Sequence, residues 1–527
     1  MKHNKKILLS LIVAALVFFS CTKLNERFRG ELAQGNTASI TPGELLVGAY
    51  QSIQGTFQGN GNLISSAQVT TDETIVPTRA GDWDDNGLWR QLFLHSWNPD
   101  HSFLSGAFNA LLGAQFAASN VLQFNPSPQQ AAEARFLRAL SMYWVLDGWD
   151  QVPYRENLTD YKIMPKTLKG TEAADFIISE LNAIMATLPN GTPTTASVAN
   201  KNAARVLLMK VYLNKGVYAN RAAPTFAAAD MAQVITLADQ ITGYSLSANF
   251  FDNFAPDNDV KSTEGILTFL NTGTSARGSD AMRGFQYMVN HYNMNPGGWN
   301  GWSTLSDFYD KFQSNDKRRG VYYTYPGALP NPGQRVNVGF LAGQQYNLTT
   351  DAPLNARNPA SAPLAFTRAV KIKETDPNTL ELAGIRAVKY AFDYGTAGDF
   401  KKNDYVMFRY ADVLLMKAEA LVRSGGSNAT ALDLVNQVRR RGYGVPVAVP
   451  NVLVDLAGTL TTSQILDERG RELYWESTRR TDLIRFGKYL QAWQEKSADA
   501  GTKNLLFPIP SNQLAVNPNL TQNPGYN

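Results

Sequence analysis

The sequence predicts a mainly α-helical protein, a scaffold of tetratricopeptide-like helical pairs carrying a loop-rich face with few short strands. Three observations lead there. One seven-residue helical motif occurs twice, and each copy is followed by glycine and then a second helical pattern. Further segments show the same apolar spacing. Residues from about 245 to 400 are instead rich in Gly, Asn, Pro and Tyr and show few helical periods.

The chain opens with Lys2, Lys5 and Lys6, then the apolar run Ile7 to Ser20, then Cys21, the single cysteine of the sequence. A basic start before a short apolar core is the pattern of a secretory signal, too short to span a bilayer comfortably. Val17-Phe18-Phe19-Ser20-Cys21 resembles a bacterial lipobox, in which Cys21 is lipidated and becomes the first residue of the mature protein. Residues 1–20 are therefore read as a lipoprotein signal peptide and 21–527 as one domain. An exported chain with no second cysteine has no internal disulfide and must be held by its core. Several acyl chains would anchor it stably to a membrane.

Helices are expected over Gly43–Gln54 and Ala107–Leu122, and over a segment from Ala134 to Trp144 that stops near Gly148 and Pro153. The repeated motif is Ala204-Arg205-Val206-Leu207-Leu208-Met209-Lys210 and Ala411-Asp412-Val413-Leu414-Leu415-Met416-Lys417, identical at six of seven positions. The first copy runs into Gly216 and a second helical pattern over Phe226–Ile241. The second copy runs into Gly425-Gly426 and then Ala429–Arg441. Helix, turn, helix is a unit that cannot bury its apolar face alone and must stack. The scaffold thus covers about 40–245 and 400–490, with the loop-rich insert at about 245–400 and a C-terminal segment at 490–527.

Charge excludes some functions. The 527 residues carry 49 basic and 45 acidic side chains, and three of the basic ones lie in the signal. The near balance of the rest leaves no basic stripe for nucleic acid. After the signal, no apolar run approaches a transmembrane length.

Three segments carry a family resemblance. They are Glu133-Ala134-Arg135-Phe136-Leu137-Arg138-Ala139 through Trp149-Asp150-Gln151-Val152-Pro153-Tyr154, then Asp467-Glu468-Arg469-Gly470-Arg471-Glu472 through Arg479-Arg480-Thr481-Asp482-Leu483-Ile484-Arg485, and the ending from Phe507-Pro508-Ile509-Pro510 to Tyr526. With the lipobox and Asn337 to Asn347, they resemble the SusD/RagB family of outer-membrane nutrient-binding lipoproteins across essentially the whole mature chain. The resemblance implies a SusD-like helical fold with a ligand-binding face of loops. It also implies a lipid-anchored position at the cell exterior on a SusC-type TonB-dependent transporter, capture of a glycan or in some members a peptide, and no catalysis. Thr22 to Glu26 lacks the dense acidic run linked to surface export, so the outward position rests on the family.

The charged hallmark residues are read as structural. Asp467, Glu468, Arg471 and Glu472 stand three and four apart, where opposite charges meet on a helix face. With Arg479, Arg480, Asp482 and Arg485 they form an ion-pair network locking the C-terminal segment onto the helices. Arg135 and Arg138 are read the same way.

The ligand is expected at two aromatic loops, which hold five of the nine tryptophans. One runs from Asp72 through Arg79, Trp83 and Trp89 to Trp97. The other runs from His291 and Tyr292 to Trp299, Asn300 and Trp302. A flat ring buries the C–H face of a sugar while Asn, Asp and Arg satisfy its hydroxyls. The expected ligand contacts are Trp299, Trp302, Trp83, Asp72, Arg79, Asn300, Tyr292 and Trp89. Each ring has a second reading, as a pin holding its loop to the core.

Enzyme signatures are lacking. The four histidines, His3, His95, His101 and His291, form no metal motif, and no phosphate-cradling glycine loop occurs. No cofactor is expected beyond calcium at the alternating oxygens of Asp82, Asp84 and Asn86. The reading is a cell-surface lipoprotein that binds a glycan and delivers it to a barrel transporter. The alternatives are a peptide-binding relative, an exported glycosidase, and a purely structural adaptor.

Overall fold

The structure, a computed structural model, describes residues 40–526 apart from 62, 156–157, 159, 161, 275–284 and 399. Cys21 and the signal lie outside the described residues. The protein from Pro42 onward forms one compact, mainly helical unit.

The main helices are α1 (Pro42–Gln58), α2 (Ser102–Val121), α3 (Pro128–Trp149), α4 (Gly170–Ile184), α5 (Lys201–Ala219), α6 (Ala228–Asp239), α7 (Tyr410–Arg423), α8 (Asn428–Tyr443), α9 (Thr462–Leu473) and α10 (Arg479–Arg485). From α1 to α6 each packs on the next, α6 then meets α7, and α7 lies against α8 and α9. Stacking of helical pairs buries the apolar faces that the periodicity marks. Caps fix the boundaries. Ser127 accepts from the Gln130 amide, and Pro128 occupies the first turn of α3. Asn200 caps α5 and Ser427 caps α8 in the same way.

Gly216 does not end its helix, as the sequence implied, but lies inside α5. The Thr225 carbonyl occupies the space a Cβ would need there, so glycine permits the close return of the chain toward α6. Gly425, with φ of 69°, does end α7.

The insert carries short strands set among irregular loops. β1 (Gln151–Tyr154) and β2 (Lys166–Lys169) form a hairpin within the scaffold. In the insert, β3 (Gly265–Phe269) pairs antiparallel with β7 (Tyr405–Arg409), which runs directly into α7. β5 (Val338–Leu341) lies between β4 (Gly320–Val321) and β6 (Arg386–Val388) in an antiparallel sheet. Both ends of the insert are thus stitched to the helices.

Most of the hallmark charges sit buried at that junction, while Asp467 lies nearer the surface and pairs with Lys311. Glu472 accepts from Arg318 at 2.9 Å and Arg409 at 2.5 Å, and also from Arg441. Burial pushes its carboxyl up, but Arg441, Arg409 and Arg318 outweigh this and hold it at about 2. Glu468 takes Arg318, Arg439 and Arg471 at 2.6–2.9 Å. Arg135 and Arg138 both bind Glu180, tying α3 to α4. The C-terminal motif clamps the end of α3, where Asn523 donates to the carbonyls of Trp149 and Phe507 at 2.9 and 2.8 Å. Trp97 donates to the Tyr526 hydroxyl at 2.7 Å.

Candidate functional site

The two aromatic loops meet. Residues 80–87 form a tight loop in which Ala80, Trp83, Asp85, Asn86 and Gly87 all have left-handed φ. This conformation turns Trp83 toward the second loop, where its Nε1–H donates to the Trp299 carbonyl at 2.9 Å. Its indole lies where a Cβ on residue 301 would stand, so only Gly301 accommodates it. Tyr292 donates its hydroxyl to Asp82 Oδ2 at 3.0 Å, a second link between the loops.

A cavity of about 420 Å³ opens at this junction, lined by Arg79, Asp82, Tyr292, Asn300, Arg357 and Glu381 among others. The Arg357 guanidinium lies 3.3 Å from the Tyr292 ring centre, and half of its side chain is exposed. Burial, with Asp82 as hydrogen-bond acceptor, pushes the Tyr292 phenol up to about 12, so it stays a neutral donor. His291 beneath it gives Nε2–H to Glu381 at 2.7 Å and accepts the Asn293 amide on Nδ1.

Arg79 is only 4% exposed and binds the carbonyls of Leu380 and Ala383 at 2.6 and 2.9 Å. Burial draws its guanidinium down to about 10. It shapes the cavity wall by holding residues 380–383 against Gly301 and Ser303. Asn300, 1% exposed, accepts from Arg386 at 2.7 Å, and its Nδ2 has no hydrogen-bond partner.

Three expected contacts are corrected by their surroundings. Trp302 is fully buried, its ring 5.6 Å from Trp89 and 5.8 Å from Trp475. Trp89 is 2% exposed and packs on Phe103 at 4.6 Å. Both rings are core and offer no face to a ligand. Asp72 spends both carboxylate oxygens on Arg479, each at 2.6 Å, and belongs to the ion-pair network. Trp83 and Trp299 are half-buried at the loop junction. The oxygens imagined around calcium do not converge, since Asp84 pairs with Arg90 while Asp82 takes Tyr292. Among the described residues no group of three His, Cys, Asp or Glu could hold a metal.

Sequence reasoning missed Arg357 and Glu381, which come from a polar loop with no aromatic marker. It also missed a second cavity of about 390 Å³, lined by Met294 of the 291–300 loop and by Tyr309, Arg319, Arg335, Phe340 and Tyr346 among others.

Comparison with known proteins gives this site its context. The starch-binding protein SusD of Bacteroides thetaiotaomicron is 27% identical over 500 residues, covering 87% of this chain and 84% of its own. SusD-like protein P2 of Formosa agariphila is 23% identical over 99% of this chain and all of its own. Among solved structures, the surface glycan-binding protein A of Bacteroides thetaiotaomicron in complex with laminarihexaose superposes with a TM-score of 0.65 at 18% identity. It covers 92% of this chain and 98% of its own. A laminarin-binding SusD-like protein gives 0.67 at 20%, covering 92% and 99%. These likenesses establish the SusD-like fold. The SusD family model matches residues 239–526, more than half of the sequence, and the chain therefore belongs to the SusD family of non-catalytic binding proteins.

Proposed function

We propose that this protein is a cell-surface lipoprotein that binds a glycan at the junction of its two aromatic loops and delivers it to a TonB-dependent outer-membrane transporter. The observation that carries this reading is the cavity at the loop junction, where Tyr292 and Asn300 of one loop meet Arg79 and Asp82 of the other, with Trp83 and Trp299 joined beside it. The half-buried Tyr292 ring stands there with two amides, two arginines and two carboxylates. That is the composition a sugar demands, apolar area for its C–H face and placed donors and acceptors for its hydroxyls. The ligands of the relatives, starch and laminarihexaose, are of the same class. Of the expected contacts, Trp299, Trp83, Tyr292, Asn300 and Arg79 remain in the proposed site.

Among the described residues no helix is long and apolar enough to cross a membrane. Attachment is assigned to lipid on Cys21, and partnership with a SusC-type barrel to the family. The test is affinity electrophoresis of the chain from Thr22 onward in gels cast with individual polysaccharides. Retardation in at least one gel, lost in Tyr292→Ala, is expected. Uniform mobility in every gel, with tight binding of a peptide instead, would move the ligand class to peptides. Metabolic palmitate labelling, abolished by Cys21→Ala, tests the anchor.

A further inference from the structure

The second cavity has an electrostatic property that the first lacks. Its floor is apolar, formed by Phe340, Leu341 and Phe392, and Tyr309 and Tyr346 stand at its walls. Two arginines line it, and no Asp or Glu does. Arg335 lies 3.7 Å over the Tyr346 ring and is neutralised by Asp351 at 2.8 and 3.1 Å. Arg319 is different. Its guanidinium lies 4.2 Å over the Tyr309 ring, and its Nε is buried with no hydrogen-bond partner. Among the described residues no carboxylate pairs with it. The acids nearby are committed elsewhere, Asp310 to Arg368 and Asp316 to Arg318.

Most of the buried arginines elsewhere meet carboxylates, while Arg79 and Arg386 are held by backbone carbonyls. Arg318, Arg409, Arg441, Arg469, Arg479 and Arg485 each meet at least one carboxylate. A partly desolvated guanidinium without a counter-charge is unfavourable in the empty cavity, and a guest carrying an anion relieves it. Its planar fork matches carboxylate and sulfate geometry. A cavity of about 390 Å³ with ring walls has the dimensions of one or two sugar units.

We infer that this cavity is a second saccharide subsite that takes an acidic sugar residue, bearing a carboxylate or a sulfate ester, with Arg319 as its anion-binding residue. The inference rests on the saccharide reading above and narrows it, since the 291–300 loop lines both cavities. A neutral unit would stack at Tyr292 and Trp299, and a charged one would bind at Arg319.

The test is a set of crystal soaks with glucuronate, galactose 6-sulfate and glucose, paired with calorimetric titration of the wild type and Arg319→Gln. An acidic sugar is expected in the cavity with its anion on the Arg319 guanidinium, and glucose is not. Glucuronate alone would assign uronates, galactose 6-sulfate alone sulfate esters, and either supports the inference. Arg319→Gln should weaken acidic-sugar binding by about tenfold or more, equivalent to ~1.4 kcal/mol, with neutral-glycan affinity at the other cavity unchanged. Arg319→Lys, which keeps the charge but loses the fork, should fall between the two. A cavity empty of both anions, equal occupancy by glucose, or acidic binding undiminished in a folded Arg319→Gln would overturn it. If a neutral oligosaccharide binds at Tyr292 and Trp299 while this cavity stays empty, the inference fails and the glycan reading stands. If neither cavity takes any sugar, both fail.

Discussion

Lys210 Nζ lies 2.6 Å from Asp412 Oδ2, joining α5 and α7, the two helices that carry the same seven-residue motif. Asp412 stands at the one position where the copies differ, since the first copy has Arg205 there. Arg469 of α9 binds its other oxygen at 2.8 Å. Burial pushes the carboxyl up, but Lys210 and Arg469 outweigh this and hold it well below the ordinary range. The repeat is therefore a matched pair of surfaces, and the single exchange supplies the charge that bolts one to the other.

Asp412→Ala leaves Lys210 buried without a carboxylate and removes one of the two that hold Arg469. Breaking one side of a buried pair costs ~3–5 kcal/mol, and urea unfolding should show that loss. Asp412→Asn keeps the shape and one acceptor and should lose less.

Stability should vary with pH through opposing groups. Glu472 and Glu419 are each held at about 2 by arginines that outweigh their burial. Their contribution is present above the unfolded value near 4.5 and is lost as pH falls toward 2. Glu73 behaves oppositely. Burial pushes it up to about 8, with Arg479 pulling the other way, so the fold loses stability as pH rises from 4.5 through 8. At ~1.4 kcal/mol per pH unit the Glu73 effect is at most about 5 kcal/mol. Glu73→Gln should flatten that upper limb of the pH–melting curve and leave the acid limb in place.

Trp302→Ala should act on folding. Removing this buried ring from between Trp89 and Trp475 costs ~3–5 kcal/mol, and the thermal midpoint should fall accordingly. Trp299→Ala, at the half-buried loop junction, should lower the midpoint far less.

Gly301→Ala tests the contact between the loops. The added methyl meets the Trp83 indole and forces it aside, an overpacking cost of ~1–3 kcal/mol. Tryptophan fluorescence should report the displaced ring, and glycan affinity should fall in this variant and in Trp83→Ala alike.

Helices were legible in the sequence because apolar spacing marks α1 and α8, and the repeat marks α5 and α7. Gly216 misled, because a glycine that ends a helix and one that admits a neighbouring carbonyl read alike in one dimension. Composition located the two aromatic loops, since Trp beside Asn and Gly marks ordered turns. It did not separate Trp299 from Trp302, three residues apart in one loop, because the turn at Asn300, with φ of 51°, sends the second ring into the core. Arg318 and Arg319 are adjacent in a basic run. Asp316 caps that turn through the Arg318 amide and draws the Arg318 side chain into the network, leaving Arg319 at the cavity. No pattern in the sequence marks that divergence.

The most direct measurement is calorimetric titration of the chain from Thr22 onward with a panel of soluble oligo- and polysaccharides, with Tyr292→Ala and Trp299→Ala alongside. The predicted result is saturable binding of at least one glycan by the wild type, weakened about tenfold or more in both variants while their melting curves stay cooperative. Silence across the panel, or full affinity retained in both folded variants, would contradict a glycan site at the junction of the two loops.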